Sequence, residues 1–308
     1  MLYKSFKFSY YRVMEKKIGF IGLGVMGASM SAHLQKSGLQ LFVYNRTKSK
    51  ADALINNGAI WCDSPKEVAK NVDILFSIVG FPNDVEEVYL GKNGVIEALH
   101  DGLICCDMTT TKPSLMVKIA NAFKPYNVSF ADAPVSGGDV GARNATLSFM
   151  VGAEDDTYEA LYPYFSIMGK TINHNGVVGA GQHTKMCNQI TIAGTMIGVS
   201  EALVYAAKAH LDLDTMLNTI SKGAAGCWTL DNLAPRVVKG NFDPGFMIEH
   251  FVKDMKIALE EAENMGLALP GLSLVKQLYT ALISQGYGRN GTQALVKALE
   301  SLIGEKLF

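Results

Sequence analysis

The chain has 308 residues, 48% of them hydrophobic and 19% charged, with a formal net charge of −1 at pH 7. That length suits two domains with a sizeable buried core, and charges that nearly cancel give no bulk attraction to nucleic acid or to an anionic membrane surface. Five scattered cysteines (Cys62, Cys105, Cys106, Cys187, Cys227) form no C-x-x-C pair and have no histidine at metal-ligand spacing. They point to reduced thiols in a cytoplasmic protein and to no metal site.

Residues 1–15 are aromatic and basic, without the continuous apolar stretch or small-residue cleavage site of a signal peptide. They read as a dispensable extension or as sequence upstream of a start at Met14; a transit peptide is the alternative, disfavoured by the scarcity of serine. Residues 17–21 then form a short apolar run suited to a buried parallel strand. Gly22, Gly24 and Gly27 follow at G-x-G-x-x-G spacing, and residues 28–34 read as a helix. In a strand–turn–helix the first glycine permits the tight turn, the second lets a pyrophosphate approach the backbone, and the third lets helix pack on strand. The helix N-terminus then faces the anion. A lone glycine fingerprint is weak evidence. The preceding strand, the following helix and a second strand over residues 41–44 strengthen it. The turn formed by Gly22, Leu23, Gly24, Val25, Met26 and Gly27 is therefore the candidate cofactor cradle.

The second strand ends at Asn45-Arg46-Thr47. Sites for NAD usually place an acid there to hold the ribose hydroxyls. Arg46 instead offers a planar cationic fork suited to a 2′-phosphate, although a solvated loop arginine is the blander reading. Following the glycine turn, it favours NADP over NAD. A helical segment over 48–56, a short strand at 59–61 and a helix opened by Ser64-Pro65-Lys66-Glu67 come next. Residues 74–79 form another buried strand, 84–90 a helix, 103–107 a strand, 113–123 a helix, and 130–133 and 147–151 two more strands. Strands separated by helices imply a doubly wound parallel sheet of the Rossmann type, with ligands beyond the strand C-termini. Asp132-Ala133-Pro134-Val135-Ser136-Gly137-Gly138 sits at such a place. Its consecutive amides at Ser136, Gly137 and Gly138 suit either an anion nest for a carboxylate or an ordinary glycine-rich turn.

Beyond Gly181 the pattern becomes helical. Residues 184–210 read as one long helix, nearly wholly apolar from 190 to 207 apart from Glu201. It has the length of a membrane span. Glu201 at mid-segment, with frequent Thr, Ser and Gly, favours instead a helix buried between other elements of an all-α domain. Lys185, Asn188 and Gln189 lie at i, i+3 and i+4 and so share one helical face. A lysine at the buried end of such a helix is a workable general acid/base. A snorkelling surface lysine is the commoner case. Phe246, His250, Lys253 and Asp254 also fall on one helical face, while Trp228 reads as core or as a pocket wall. The expected division is an extension over 1–15, a dinucleotide-binding domain over 16–178 and an all-helical domain over 179–308.

Taken together, GFIGLGVMG, DAPVSGG, GAGQHTKMCNQ and FVKDM occur in an order that resembles the β-hydroxyacid dehydrogenase family, from Ile18 to about Leu299. Its members include 3-hydroxyisobutyrate dehydrogenase, 2-hydroxy-3-oxopropionate (tartronate semialdehyde) reductase and the glyoxylate/succinic semialdehyde reductases. The resemblance implies an NAD(P)-dependent enzyme interconverting a small 3-hydroxy acid and its semialdehyde, a glyoxylate/succinic semialdehyde reductase being the alternative. A non-catalytic dinucleotide-binding scaffold is the rival of another class, and the presence of Lys185 argues against it.

Residue by residue, the resemblance makes Lys185 the proton donor and acceptor, and Ser136, Gly137 and Gly138 the carboxylate loop. It puts Thr110 near nicotinamide and substrate, Val79 and Gly80 over the adenosine side, Lys253 beside the cofactor, and Phe246 and Asp254 nearby. Asn188 and Gln189 are implied as substrate contacts, and Asn45-Arg46-Thr47 matches the NADP-preferring members. The resemblance also implies assembly as a homodimer or homotetramer through the helical part. Two departures stand out. Many members have Asn-Asn where this chain has Asn188-Gln189, which looks more like the tartronate semialdehyde reductases. Ala145 stands where a glycine is usual.

Overall fold

The computed structural model describes residues 16–308, so the reading of residues 1–15 as an extension lies outside the described residues. Two compact units divide between Lys185 and Met186.

The first unit is built on a nine-stranded sheet of order β3-β2-β1-β4-β5-β6-β8-β7, with β9 paired to β8. Strand β1 (Lys17–Ile21) lies between β2 (Gln40–Tyr44) and β4 (Ile74–Ser77), parallel to both. The outer β3 (Ile60–Trp61), then β5 (Ile104–Asp107) and β6 (Ser129–Asp132), continue the parallel set. Beyond β6 the direction changes. Strand β8 (Leu147–Gly152) runs antiparallel to β6 and to β7 (Val135–Ser136), while β9 (Gly169–Gly176) is parallel to β8.

The inner strands are apolar on both faces because both are covered. Ile18, Phe20, Ile74 and Phe76 point into one core with Tyr164 and Phe165, whereas Ile21, Leu75 and Cys105 enter the other with Tyr89, Phe123 and Phe130. Helices α1 (Val25–Lys36), α2 (Asp52–Asn56), α3 (Pro65–Asn71), α4 (Pro82–Leu90), α5 (Pro113–Phe123), α6 (Gly138–Arg143) and α7 (Asp155–Met168) are interleaved with these strands. Ser64 caps α3, accepting from the Glu67 amide, as its sequence predicts. Helix α1 begins at Val25, three residues ahead of the expected segment, so the last three residues of the glycine turn, Val25, Met26 and Gly27, already belong to its first turn.

Helix α8 (Ala180–Lys208) starts four residues before the expected 184. Its first residues belong to the sheet-bearing unit and the rest to the second. The first turn of α8 is hydrogen-bonded to the ends of the sheet, which is why it goes with the first unit. The second unit is helical: α9 (Leu213–Ile220), α10 (Trp228–Asn232), α11 (Ala234–Val238), α12 (Ile248–Asn264), α13 (Pro270–Ser284) and α14 (Val296–Ile303). Its main core joins Met186, Ala193 and Met196 of α8 to Phe251, Met255 and Tyr279.

Two expectations change here. Helix α8 is not buried all round: Cys187, Thr191, Gly194, Gly198, Glu201 and Tyr205 form an exposed stripe. The stripe is built mostly of small residues, which lower polarity without demanding burial. Trp228 opens α10 with 66% of its surface exposed and is not core.

Candidate active site

The glycine turn leads from β1 into α1. Gly22 has φ +92°, and a Cβ there would lie 2.1 Å from the Ile78 carbonyl oxygen. A Cβ on Gly27 would lie 1.9 Å from the Gly22 carbonyl oxygen. Both positions therefore require glycine for close backbone approach. At Gly24 a Cβ would meet nothing within 4 Å, so that backbone is open on its outer side. Gly24 is also the N-cap of α1 and provides no side-chain cap, which leaves the helix amides to an incoming anion. This open, uncapped cradle fits the pyrophosphate of a dinucleotide. The Leu23 amide is already used: it donates to Asn45 Oδ1 at 2.9 Å, and Asn45 Nδ2 donates to the Thr47 carbonyl. Asn45 thus ties the end of β2 to the turn, and Val25 is left exposed above it.

Arg46, just beyond β2, pairs through Nη1 with Asp84 Oδ1 at 3.0 Å. Val79 and Gly80, beyond β4, are half-buried. The Val79 amide donates to Thr109 Oγ1 at 2.9 Å, and that hydroxyl donates to Asp107 Oδ1 at 2.8 Å. Ser77 donates to the same oxygen at 2.6 Å. Thr110 follows, half-buried. Gln182 on α8 then fastens this loop, its side chain donating to the Thr109 carbonyl and accepting from the Thr111 amide. Asp107 and Asp132 end neighbouring strands in register, and both are fully buried. Burial pushes each carboxyl up to about 7, against the hydrogen bonds each accepts.

Lys185 is 7% exposed, and its Nζ donates to the Val135 carbonyl at 2.8 Å. Val135 immediately precedes Ser136, Gly137 and Gly138. The amine is therefore held at the base of the loop the sequence marks out for an anion, not in bulk solvent. Within that loop Gly137 has φ +126° and Gly138 φ +61°, two successive left-handed residues that turn β7 into α6. Lys185 and the 136–138 loop, 47 or more residues apart in sequence, are thus brought together within the first unit.

In the second unit, Asn188 Nδ2 donates to Gln189 Oε1 at 2.7 Å, and Gln189 Nε2 donates to Asp254 Oδ2 at 2.6 Å. Lys253 Nζ lies 3.0 Å from Asp254 Oδ1. Gln189 and Asp254 are each 1% exposed, so they face one another below the surface, whereas Asn188 is half-buried. Burial, reinforced by the charge of Lys253, holds His250 below the ordinary imidazole range. Phe246 is not on the helical face expected for it: it precedes α12, with its ring tilted against Phe251.

Sequence reasoning passed over Asp84, Asp107, Thr109, Asp132 and Gln182 as functional groups. The signal available for three of them was a polar residue at, or just past, a strand C-terminus. For Asp84 and Gln182 it was only a polar side chain in a helix's first turn.

Residues 17–179 match the NAD-binding domain of 6-phosphogluconate dehydrogenase, and residues 179–299 match the NAD-binding family of NADP-dependent 3-hydroxyisobutyrate dehydrogenase. The chain is 55% identical to the uncharacterized oxidoreductase YkwC of Bacillus subtilis, over 92% of this chain and 99% of that protein. It is 36% identical to the 2-hydroxy-3-oxopropionate reductase of Escherichia coli, over 94% of this chain and 99% of the relative. Among solved structures, the 3-hydroxyisobutyrate dehydrogenase of Mycobacterium tuberculosis superposes with a TM-score of 0.85 at 27% identity, over 93% of this chain and 99% of that one. With a glycine cradle shaped for a dinucleotide and matches running along nearly its whole length, the chain belongs to the β-hydroxyacid dehydrogenase family and is an NAD(P)-dependent oxidoreductase.

Proposed function

We propose that this enzyme interconverts a small 3-hydroxy acid and its semialdehyde, with 2-hydroxy-3-oxopropionate or methylmalonate semialdehyde as the carbonyl form and NADP favoured over NAD. The observation that carries this reading is the buried Lys185 amine, hydrogen-bonded at 2.8 Å to the residue before the Ser136–Gly138 loop. The nicotinamide, when bound, supplies or accepts the hydride at the substrate carbon. Lys185 gives its proton to the carbonyl oxygen in the reductive direction and takes it back in the oxidative one. Ser136 Oγ and the amides of Gly137 and Gly138 hold the substrate carboxylate, and Thr110 orients its neighbour at the reacting carbon. Gly22, Gly24 and Gly27 cradle the pyrophosphate, Val79 and Gly80 flank the adenosine side, and Arg46 receives the 2′-phosphate. Lys253 and Phe246 belong to the same proposal as cofactor and substrate neighbours. Asn188 contacts substrate while Gln189 and Asp254 set its orientation.

The Asn-Gln pair at 188–189 supports 2-hydroxy-3-oxopropionate as the carbonyl form, while the similarity both to a 2-hydroxy-3-oxopropionate reductase and to 3-hydroxyisobutyrate dehydrogenases supports the pair of substrates as a class. Assembly as a homodimer or homotetramer is part of the reading, supported by the exposed stripe on α8, and light scattering on the purified protein checks it.

The test is a set of steady-state rates for 2-hydroxy-3-oxopropionate, methylmalonate semialdehyde, succinic semialdehyde and glyoxylate, each with NADH and NADPH, for wild type and Lys185→Ala. A rate concentrated in the first two substrates and lost in the variant supports the reading. Glyoxylate or succinic semialdehyde as the best substrate moves it to the alternative reductases. Undiminished turnover in the variant removes the proton donor, and no turnover with any substrate favours a binding scaffold.

A further inference from the structure

The guanidinium expected to receive a 2′-phosphate already has an anionic neighbour. Arg46 stands just past β2 and Asp84 is the third residue of α4, which follows β4. Because β1 lies between β2 and β4, the Arg46–Asp84 pair spans the end of the strand that carries the glycine turn. The two partners are held differently. Asp84 Oδ2 accepts from the Phe81 amide at 3.0 Å while Oδ1 accepts from Arg46, and its side chain is only 18% exposed. The Gly80 backbone also approaches closely, since a Cβ there would stand 3.1 Å from Oδ2. The arginine side chain is 76% exposed. The carboxylate is thus the fixed partner and the arginine the movable one.

We propose that Asp84 is a specificity-determining residue that restrains the preference for NADP and keeps NAD usable. The inference rests on the reading of Arg46 as the 2′-phosphate group. A phosphate that binds Arg46 comes up against a carboxylate that cannot swing away, because the start of α4 pins it. The two anions share one guanidinium, and the repulsion between them subtracts from the gain that Arg46 provides. A cofactor with a free 2′-hydroxyl meets the opposite situation. It presents a donor to a site where a carboxylate is the ordinary partner of ribose hydroxyls. Sequence places no acid at the end of β2; the fold brings one there from the first turn of α4.

The experiment measures dissociation constants for NADPH and NADH by fluorescence titration of wild type, Arg46→Ala, Asp84→Asn and Asp84→Ser. Asparagine and serine keep an acceptor for the Phe81 amide and remove the charge, so unfolding temperatures serve as the control on the α4 cap. Asp84→Asn is expected to tighten NADPH by about two- to fivefold, the range of an exposed charge pair, and not to tighten NADH. The gain shrinks in about 0.5 M salt, where the Debye length is only a few ångströms. Arg46→Ala is expected to weaken NADPH alone. If Arg46→Ala weakens NADPH but both Asp84 variants leave the NADPH-to-NADH ratio unchanged, this proposal is overturned while the NADP reading stands. If Arg46→Ala leaves NADPH binding unaltered, the underlying reading fails and takes the proposal with it. Weaker NADPH binding in both Asp84 variants overturns the proposal too, by assigning Asp84 the opposite role of holding Arg46 in place for the phosphate.

Discussion

The Asp132 carboxylate meets the Gln182 backbone amide at 2.7 Å, and its other oxygen accepts from the Gly179 amide at 2.5 Å. One side chain at the end of β6 therefore caps the helix that carries Lys185. Val135, which receives the Lys185 amine, lies only three residues along the chain from Asp132. A Cβ on Gly181 would come within 2.7 Å of Asp132 Oδ2 and 2.3 Å of the Met150 carbonyl oxygen, so helix and strand meet in direct contact. Asp132→Asn keeps the shape but turns an amide N–H toward one of two backbone N–H groups. It is expected to lower kcat by about ten- to a hundredfold through misplacement of Lys185, with NADPH affinity unchanged. Single-turnover rates and cofactor titrations separate the two effects. Loss of cofactor affinity in parallel with kcat would show a general collapse of the first unit instead.

Ala145 adopts φ +52°, a left-handed conformation that costs a non-glycine residue roughly 1–2 kcal/mol. This gives a physical meaning to the departure noted in the sequence, where glycine is usual. The turn from α6 into β8 demands the same backbone with either residue, and this chain bears the strain. Ala145→Gly is expected to stabilise the folded state by about 1 kcal/mol, after allowing for the greater freedom of glycine in the unfolded chain. Denaturant unfolding reads this directly, and an unchanged or lower midpoint counts against it.

The parts of the fold that the chain announces locally are those whose chemistry is local. The glycine turn, the apolar runs of β1, β2 and β4, and the Ser64 cap each rest on neighbouring residues. Strand β9 went unseen because GKTINHNG is polar at an exposed sheet margin, where burial imposes no alternation. The network around the site was hidden for a different reason. Asp132 finds Gly179 across 47 residues and Gln182 finds Thr109 across 73, separations that no periodicity encodes. Lys185 could be singled out by its position, but its hydrogen bond to Val135 only by folding. Trp228 shows the opposite case: a large apolar side chain reads as core or as a pocket wall, yet it is exposed, because hydrophobicity is a one-way guide to burial.

Burial pushes the Asp107 carboxyl up to about 7, despite hydrogen bonds from Ser77 and Thr109 and with Asp132 beside it adding repulsion. The sign of the consequence follows from linkage. The folded state binds this proton more tightly than the unfolded chain, so the contribution to stability is fully present below about pH 4 and is lost as pH rises through about 7. Asp132 acts in the same direction. Asp107→Asn cannot ionise and still offers an acceptor to Ser77 and Thr109. Its unfolding free energy is expected to fall less steeply between pH 5 and pH 7 than that of wild type, by up to about 1.4 kcal/mol per pH unit for the one proton removed. Matching pH dependences in the two proteins would mean that Asp107 is ionised throughout that range.

Gln189 occupies the position where many family members carry a second asparagine, and its two ends are both in use. Its amide nitrogen meets Asp254 at 2.6 Å and its oxygen receives Asn188. The contact fixes which way the amide points, because Asp254 Oδ2 accepts from the Gln189 nitrogen. Asn188 is in turn obliged to present its nitrogen to Gln189, which leaves its own oxygen as the acceptor that the proposed substrate contact would use. Gln189→Asn is too short to span the gap and leaves the buried carboxylate short of a donor, at a cost of about 1–3 kcal/mol. Gln189→Glu sets two carboxyl groups in contact, so one must hold a proton. Its folded-state pKa is raised, and the stability of this variant is expected to be near wild type at pH 5 and to drop as pH rises toward 8. Adding Asp254→Asn to Gln189→Glu removes the repulsion and is expected to restore stability at pH 8. Thermal unfolding of the three variants across that pH range is the measurement. A Gln189→Glu protein as stable at pH 8 as at pH 5 would show that the 2.6 Å contact is not maintained in solution.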